Sequence, residues 1–218
     1  MFFCLIRFGL DNYAHPKLEL AAVFLISVIG IVAISYYKSD NKGLYKTAFV
    51  VILMFGIICS VITPICIIPD EIEHFARADI TASGDLFPQY VNNSFEVSQS
   101  VLDLTAVGVE HLKSGAEKMS HDNSSIMHTD ADTKPINDTK VPYPNAFAQN
   151  PFFGYLPQAL GIVIAKLLDL NAIWLLWLGR IFNVLMYAGM AAIAIKKTSI
   201  LKVPMFVMAC IPAVIYIG

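Results

Sequence analysis

The chain has 218 residues, of which 56% are hydrophobic and 15% are charged, and its mean hydropathy is +0.62. A soluble domain of this size is markedly less apolar and more charged, so the composition indicates a membrane protein with several spans. The net charge is −2, and the sequence shows no basic patch with interleaved aromatic residues, which argues against nucleic-acid binding.

Apolar stretches approach the length of about 20 residues that a membrane-spanning helix needs. The complete ones cover residues 20–37, 48–68 and 173–195. A further stretch begins at residue 203 and is still apolar at Gly218, so we expect the chain to be the first part of a longer membrane protein. The predicted fold class is all-α, a polytopic helical membrane bundle with spans in residues 1–68 and 171–218.

Positive charges in two short connections set the predicted orientation. They are Lys38, Lys42 and Lys46 in the first connection and Lys196, Lys197 and Lys202 in the second. Because cytoplasmic loops carry an excess of lysine and arginine, both connections are predicted to be cytoplasmic. The loop of residues 69–153 is then external, and its thirteen acidic against five basic residues agree with that side. The sequence thus predicts a multi-pass plasma-membrane protein with the lipid bilayer as a partner.

The external loop is predicted to begin with a helix near residues 70–83, because Pro69 suits a first turn and the acidic residues after it suit a helix N-terminus. Gly84 marks the expected end of this helix. Apolar residues at helical spacing predict a second surface helix in residues 95–112. Residues 113–140 are rich in Ser, Asp, Asn, Thr and Lys, and this tract is predicted to be disordered.

Residues 154–170 form an apolar segment with a few polar residues. Gln158, Lys166 and Asp169 fall near one face of a helix at 100° per residue. The span at residues 173–195 already supplies the crossing from the external loop to the second cytoplasmic connection, so this segment should not cross. The pattern predicts an amphipathic helix that lies along the outer membrane surface.

Charged residues at the junction between the span of residues 48–68 and the external loop form the main candidate site. Charges at the edge of the hydrocarbon are costly, so such a cluster is a functional-site candidate. Asp70, His74 and Arg77 are spaced i, i+4 and i+7, which predicts one shared helix face. Glu73 is placed to form an ion pair with Arg77 at i+4.

A second polar pair lies inside the span of residues 173–195. Arg180 is about seven residues, roughly 10 Å, from the outer end of that span. Asn183 follows three residues later, so the two share a face that is expected to point into the bundle. Snorkelling of Arg180 to the interface is the alternative interpretation.

Three short stretches stand in a fixed order relative to the predicted spans. They are PDEIEHFARA at residues 69–78, YLPQALG at 155–161 and LGRIFN at 178–183. Together they resemble the DUF2142 family of bacterial polytopic membrane proteins, which is grouped with the GT-C glycosyltransferases. Those enzymes transfer a sugar from a polyprenyl-phosphate carrier outside the membrane. The resemblance therefore implies a GT-C-like bundle and a glycosyltransferase that acts on a cell-envelope glycan or glycolipid acceptor.

GT-C enzymes place a key acidic residue near the membrane surface in the first large external loop. The resemblance implies Asp70 as the first candidate for the catalytic base and Glu71 as the second, with His74 orienting Asp70 or sharing its proton. A guanidinium can hold a lipid phosphate through bidentate contacts. The candidate substrate-binding residues are Arg77, Arg180, Asn183, Tyr155 and Gln158. Some GT-C enzymes use a metal and others need none, and this chain shows no second acidic motif, so no metal and no cofactor are predicted.

Two other functions stay open at this point. A transporter or flippase for a lipid-linked substrate would favour broken helices and polar residues near mid-membrane, whereas the polar residues here cluster at the outer edge. A non-catalytic membrane scaffold would bind a partner through the external loop. Asp70 and Glu71 would then be a charge pair at a helix N-terminus without a chemical role.

Overall fold

The computed structural model describes residues 24, 28, 43–63, 65, 66, 68, 70–90, 94–114, 131 and 133–210. The described chain divides into two compact units. Unit 1 comprises Met1–Val61 and Asn183–Gly218, and unit 2 comprises Ile62–Phe182. Most of the predicted span at residues 20–37, and residues 211–218 of the last predicted span, lie outside the described residues.

The described elements are mostly helical. In chain order they are helix α1 (Leu44–Ile62), α2 (Glu71–Ala82), strand β1 (Phe95–Ser98), α3 (Gln99–Ser114), β2 (Lys140–Tyr143), a 3-10 turn (Phe152–Tyr155), α4 (Leu156–Leu167), α5 (Ile173–Lys197) and α6 (Lys202–Ala209). By length and composition, two of these described helices could cross a membrane: α1 over Leu44–Val61, with a mean hydropathy of 2.1, and α5 over its whole length, with 1.6. At 1.5 Å per residue they are about 27 and 37 Å long, close to or above the roughly 30 Å of bilayer hydrocarbon.

Helix α1 is shifted toward the N-terminus relative to the predicted span of residues 48–68. It starts at Leu44, so Lys46 lies in its first turn and not in the preceding loop. It ends at Ile62 because Thr63 precedes Pro64, and a residue before proline is disfavoured in the α region. The described residues at the end of the predicted span, 63, 65, 66 and 68, lie outside the helix.

Unit 1 has an apolar core between α1 and the second half of α5. The core residues are Leu44, Ala48, Ile52, Ala188 and Ile195. The helices approach closely where Gly56 faces Val184, since a Cβ at Gly56 would lie 2.2 Å from Val184 Cγ1. Helix α6 packs against this core. The Tyr187 hydroxyl donates to the Ala209 carbonyl of α6 at 3.0 Å.

Unit 2 is arranged around α2. This helix lies where one was predicted near residues 70–83, and it buries an apolar face made of Phe75, Ala76, Ala78 and Ile80. Its neighbours in the unit are α3, β1, the 3-10 turn and α4. The chain leaves α2 at Gly84, whose φ of 88° is a conformation that glycine adopts without a side-chain penalty.

Residues 95–112 are not one helix, as the apolar spacing predicted. Phe95–Ser98 forms β1, which pairs antiparallel with β2 so that Phe95 faces Tyr143, and α3 begins only at Gln99. Phe95 and Val97 are buried while Glu96 is exposed, which is the two-residue alternation of a strand. The sequence interpretation missed this alternation because the strand is only four residues long.

The tract predicted to be disordered, residues 113–140, is described only in part. Residues 115–130 and 132 lie outside the described residues. The structure differs from the expectation after that, because residues 134–139 bind neighbouring segments through backbone hydrogen bonds. The Lys134 carbonyl accepts from the Ala172 amide at 2.9 Å, and the Thr139 carbonyl accepts from Gln99 at 2.9 Å. This stretch is polar in composition, but its main chain is anchored.

Helix α4 packs closely on the first half of α5 within unit 2. A Cβ at Gly161 would lie 2.3 Å from the Leu178 carbonyl oxygen, and one at Gly179 would lie 3.0 Å from Gln158 Cγ. Glycine at both positions therefore lets the two backbones approach. Gln158, a residue of the predicted polar face, is buried against protein. The placement of the 154–170 segment along the outer membrane surface stays a prediction.

Candidate functional site

Asp70 is the exposed carboxylate at the start of α2. Its backbone is left-handed, with φ 60° and ψ 2°, a region in which aspartate is enriched several-fold over most side chains. Its carbonyl oxygen accepts from the amides of Glu73 and His74, at 3.1 Å each. The Asp70 side chain makes no capping hydrogen bond to the described backbone of α2. The main chain of Asp70 starts the helix, and its carboxylate faces solvent.

Glu71, the neighbouring carboxylate, is buried and bound to Arg180. Arg180 Nε donates to Glu71 Oε1 at 2.6 Å, and its Nη2 donates to Oε2 at 2.7 Å. Arg180 Nη1 also donates to the Thr63 carbonyl at 2.8 Å. Both side chains are less than a tenth exposed. This geometry is a bidentate pair that joins the start of α2 to α5, so the carboxylate predicted as a second base is already matched by a cation.

Burial of Glu71 also acts on a nearby thiol. Cys66 is fully buried, and burial together with the Glu71 charge raises its pKa above the usual range for a thiol, although Arg180 acts in the opposite direction. Cys66 lies against Gly108 of α3, where a Cβ would be 2.3 Å from Cys66 Cβ. The thiol is therefore a neutral packing group of unit 2 and not a nucleophile.

Arg77 is 1% exposed and binds backbone carbonyls. Its Nε and Nη2 both donate to the Asn150 carbonyl, at 3.2 and 3.0 Å, and Nη2 donates to Leu86 O at 3.1 Å. Its Nη1 donates to Thr81 Oγ1 at 2.7 Å. Burial lowers the pKa of this guanidinium below its ordinary value, against the opposing charges of Tyr155 and Asp85.

These contacts correct two predictions for Arg77. The expected ion pair with Glu73 does not form between these two described side chains. Arg77 also does not share a solvent-facing surface with Asp70 and His74, because it lies on the buried side of α2 while the other two are exposed. Its donors hold the loops on either side of α2 in place, so its role in the structure is to position the chain.

Tyr155 connects Arg77 to His74. The Arg77 guanidinium lies 5.5 Å from the Tyr155 ring centroid, and the Tyr155 oxygen lies 3.0 Å from His74 Nδ1. Asn150 Nδ2 donates to the same oxygen at 3.1 Å. That amide nitrogen can only donate, so the hydroxyl proton is available to His74 Nδ1; in that arrangement neutral His74 carries its own proton on Nε2. The Phe147 ring packs on His74 at 4.8 Å between centroids.

Glu73 holds the segment that follows β2. Its Oε2 accepts from the Ala146 amide at 3.0 Å, and its backbone carbonyl accepts from Asn145 Nδ2 at 3.0 Å. The Tyr143 hydroxyl donates to Glu73 Oε1 at 3.5 Å. Burial and the Glu73 charge raise the pKa of Tyr143 to about 12. The acidic residue predicted to pair with Arg77 therefore binds a different part of the external loop.

Asp79 is a fully buried carboxylate that sequence interpretation missed. Its Oδ2 accepts from the Ser98 amide at 2.7 Å, and its Oδ1 accepts from Lys166 Nζ at 2.8 Å. Lys166 also donates to Asp138 at 2.7 Å. Burial lowers the pKa of Lys166, but Asp79 and Asp138 outweigh burial and the net pKa is raised. The available signal was Lys166, the one charged residue of the apolar segment 156–167, opposite in sign to Asp79.

The remaining predicted substrate-binding residues occupy different environments. Gln158 is buried on Gly179, whereas Asn183 lies one turn beyond Arg180 in α5 and is half-buried. Unit 2 brings together Asp70, Glu71, His74, Arg77, Tyr155, Gln158 and Arg180. Only two of these seven, Asp70 and His74, present an exposed polar side chain. Among the described residues, no group of three or more His, Cys, Asp and Glu side chains is arranged to hold a metal ion.

The exposed pair offers a proton acceptor and a hydrogen-bond donor. The Asp70 carboxylate can accept a proton from a hydroxyl group, and His74 Nε2–H can donate to an anionic oxygen. The buried contacts of Glu71, Arg77 and Tyr155 hold α2 and the His74 ring in position. The chemistry available to unit 2 is therefore acid–base and anion binding at the start of α2.

Comparison with known families supports a membrane assignment. The family model for DUF2142, described as a predicted membrane protein, matches residues 53–218. The match covers well over half of the chain, and it contains every candidate site residue from Asp70 to Asn183. The resemblance predicted from three short stretches is thus confirmed. No curated protein and no solved structure matches the chain.

Proposed function

Because the chain belongs to the DUF2142 family of predicted membrane proteins, we propose that it acts as a membrane glycosyltransferase on the external face of the bilayer. Its donor is a polyprenyl-phosphate sugar, and its acceptor is a hydroxyl group of a cell-envelope glycan or glycolipid. In this proposal α1 and α5 cross the membrane as part of a polytopic GT-C-like bundle. The loop that carries α2 then lies outside.

One observation carries the proposal. Asp70 is an exposed carboxylate about nine residues beyond the end of the candidate span Leu44–Val61, at the start of a helix whose own geometry does not use its side chain. A base for a lipid-carried donor has to stand at the membrane surface, where the phosphate of the carrier lies. A carboxylate that neither caps its helix nor pairs with a buried cation suits this task.

The proposed reaction is a single displacement. Asp70 takes the proton of the acceptor hydroxyl while that oxygen forms a bond to the anomeric carbon of the sugar. The bond between this carbon and the phosphate oxygen breaks, and the polyprenyl phosphate leaves with the bonding electrons. His74 Nε2–H donates to a phosphate oxygen and stabilises the leaving group. Glu71, Arg77, Tyr155 and Arg180 act as positioning residues.

The test replaces Asp70 with Asn in the full-length protein in its host. Cell-envelope glycans are compared by mass spectrometry among the wild type, a deletion strain and the variant. The matched control is Asp103→Asn, which changes another exposed carboxylate in the same loop, one that accepts a hydrogen bond from Gln99 on its own helix. We expect Asp70→Asn to reach the membrane at normal levels and to lack the same sugar as the deletion strain, and Asp103→Asn to match the wild type.

A wild-type glycan profile in Asp70→Asn cells, with an altered profile in the deletion strain, would rule out Asp70 as the base. The scaffold and transporter functions would then be favoured over the transferase function. Accumulation of the intact lipid-linked sugar on the cytoplasmic side in the deletion strain would favour the transporter. Loss of a partner protein from the membrane, with glycans unchanged, would favour the scaffold.

A further inference from the structure

Unit 2 has a large exposed apolar surface. The α4 apolar face is the set of exposed side chains on α4 and next to it, namely Phe87, Phe153, Leu156, Leu160 and Leu167. Phe87, Phe153 and Leu167 are each more than two-thirds exposed. Soluble proteins rarely leave contiguous apolar side chains of this size in water, so such a face marks an interaction surface.

Helix α4 differs from a water-exposed helix in where its leucines and its polar residues lie. A surface helix normally turns its leucines inward and its charged residues outward. Here Gln158 is buried on α5, and Lys166 turns inward to the buried carboxylate of Asp79. Leu156, Leu160 and Leu167 point outward. The outward face of this helix is therefore apolar, although its inward face also buries Ala159, Ile162 and Ala165.

The position of α4 along α5 indicates the depth of this face. Gly161 meets Leu178 and Gly179, which lie five and six residues beyond Ile173, the first residue of the candidate span. That distance is about 8 to 9 Å along the helix axis. The contact thus lies below the start of the span, within the layer that a spanning α5 places in one leaflet. Helix α4 itself is about 18 Å long, which is too short to cross.

Aromatic rings border the face at its N-terminal end. The Phe87 and Phe152 rings meet edge to face with centroids 5.4 Å apart, and Phe152 contacts Phe153 in the same way at 6.3 Å. Aromatic side chains are concentrated where the hydrocarbon of a bilayer meets its headgroups. The rings of this face are therefore of the kind found at the boundary between headgroups and hydrocarbon.

We infer that the α4 apolar face binds lipid and is seated at the boundary between the headgroups and the acyl chains of one leaflet. The inference requires α5 to be a membrane span, and it is independent of the transferase proposal. The occupant is the bilayer and not a second protein chain, because the close contact with α5 sets the face at a depth that lipid fills. Unit 2 then holds the start of α2 against the membrane surface through this face.

The test places a photoreactive p-benzoylphenylalanine in the full-length protein at Phe153, Leu160 or Leu167, one position at a time. Cells are supplied with an alkyne-tagged fatty acid, so that phospholipids carry the tag, and are then irradiated. The matched control carries the same group at Asp103, an exposed position of α3 in the same unit. We expect tagged lipid on the protein at each of the three positions, at least about fivefold above position 103.

Labelling at all three positions no higher than at position 103 would show that the face lies in water and would overturn the inference. Adducts to a second copy of the chain or to another protein, in place of lipid, would also overturn it. Each of the three side chains is about half or more exposed, so the probe replaces an outward-facing group and does not enlarge the core. A change in envelope glycans is not read in this test, so its outcome is separate from that of Asp70→Asn.

Discussion

Glu71 and Arg180 stand 109 positions apart in the sequence and meet through two hydrogen bonds of 2.6 and 2.7 Å. Both are buried, and Arg180 also binds the Thr63 carbonyl. The pair therefore links the segment after α1, the start of α2 and the interior of α5 within unit 2. A residue with this set of contacts is expected to affect stability before it affects chemistry.

Breaking the Glu71–Arg180 pair should destabilise unit 2. Arg180→Met leaves the Glu71 carboxylate buried without its cation, which typically costs about 3–5 kcal/mol. We expect a large drop in the thermal unfolding temperature of the purified full-length protein in nanodiscs. Asp70→Asn, which changes an exposed carboxylate, should change the free energy of unfolding by less than about 0.5 kcal/mol.

The double variant Glu71→Met/Arg180→Met separates the pair from its single members. Removing both charges avoids an uncompensated buried ion, so it should be less destabilised than Arg180→Met alone. The opposite outcome is a double variant that loses as much free energy of unfolding as Glu71→Met and Arg180→Met lose together. The two side chains would then contribute independently, and the buried pair would not be the source of the stability.

Lys166 should make the stability of unit 2 sensitive to alkaline pH. Burial lowers the pKa of Lys166 in the folded state, but Asp79 and Asp138 outweigh burial and raise it above the ordinary value of 10.5. A group with a raised folded pKa contributes stability that is fully present below the unfolded pKa and is lost as pH rises through the folded pKa. We expect the unfolding temperature to fall above about pH 10.5.

The matched variant for this pH dependence is Asp79→Asn/Lys166→Met, which removes both members of the pair. Its unfolding temperature should be lower at neutral pH and should depend less on pH above 10. An unchanged alkaline slope in this variant would place the titration on another group.

The closeness of α4 to α5 should make Gly161 intolerant of a larger side chain. Gly161→Ala sets its Cβ 2.3 Å from a backbone carbonyl oxygen, which cannot move as a side-chain end can. Overpacking of this kind costs about 1–3 kcal/mol and sometimes more. Gly154→Ala is the control, because nothing lies within 4 Å of its added Cβ. Thermal unfolding of both variants checks the prediction, and equal stability would contradict the packing described.

We expect neutral His74 to carry its proton on Nε2, the tautomer in which the Tyr155 hydroxyl donates to Nδ1. Side-chain 15N NMR of the ring nitrogens distinguishes the two tautomers. Tyr155→Phe removes the donor while keeping the aromatic ring, so the Nε2–H form should lose population without loss of fold. A dominant Nδ1–H signal in the wild type would reverse the direction of the hydrogen bond and would remove His74 Nε2–H as a donor to phosphate.

Much of the α2 region could be predicted from the sequence because its signals are local. Pro69 and the acidic residues after it indicate a helix start, and Gly84 indicates its end. The family resemblance could also be predicted, since it depends on short ordered stretches. The apolar character of α1 and α5 was visible from composition. The bounds of α1 were not, because the helix starts at Leu44 and ends just before Thr63 and Pro64.

The side-chain partners could not be predicted, because they depend on long-range contacts. Helical spacing placed Arg77 within reach of Glu73, but the structure gives Arg77 the Asn150 carbonyl, 73 positions away. The same limit applies to Lys166, which the amphipathic pattern assigned to a surface and which instead binds Asp79. Spacing along one helix says which residues share a face, but not whether that face meets water, lipid or protein.

The span of sequence between Glu71 and Arg180 has a consequence for biosynthesis. At about 5–20 residues per second, the ribosome needs roughly 5–20 s to add the 109 residues that separate them. Throughout that interval the nascent chain carries Glu71 without Arg180, and Asp79 lacks its cation until Lys166 has been added. Unit 2 is therefore expected to be completed only after the first half of α5 has been synthesised, and a chain that stops before Arg180 should be recognised by quality-control proteases.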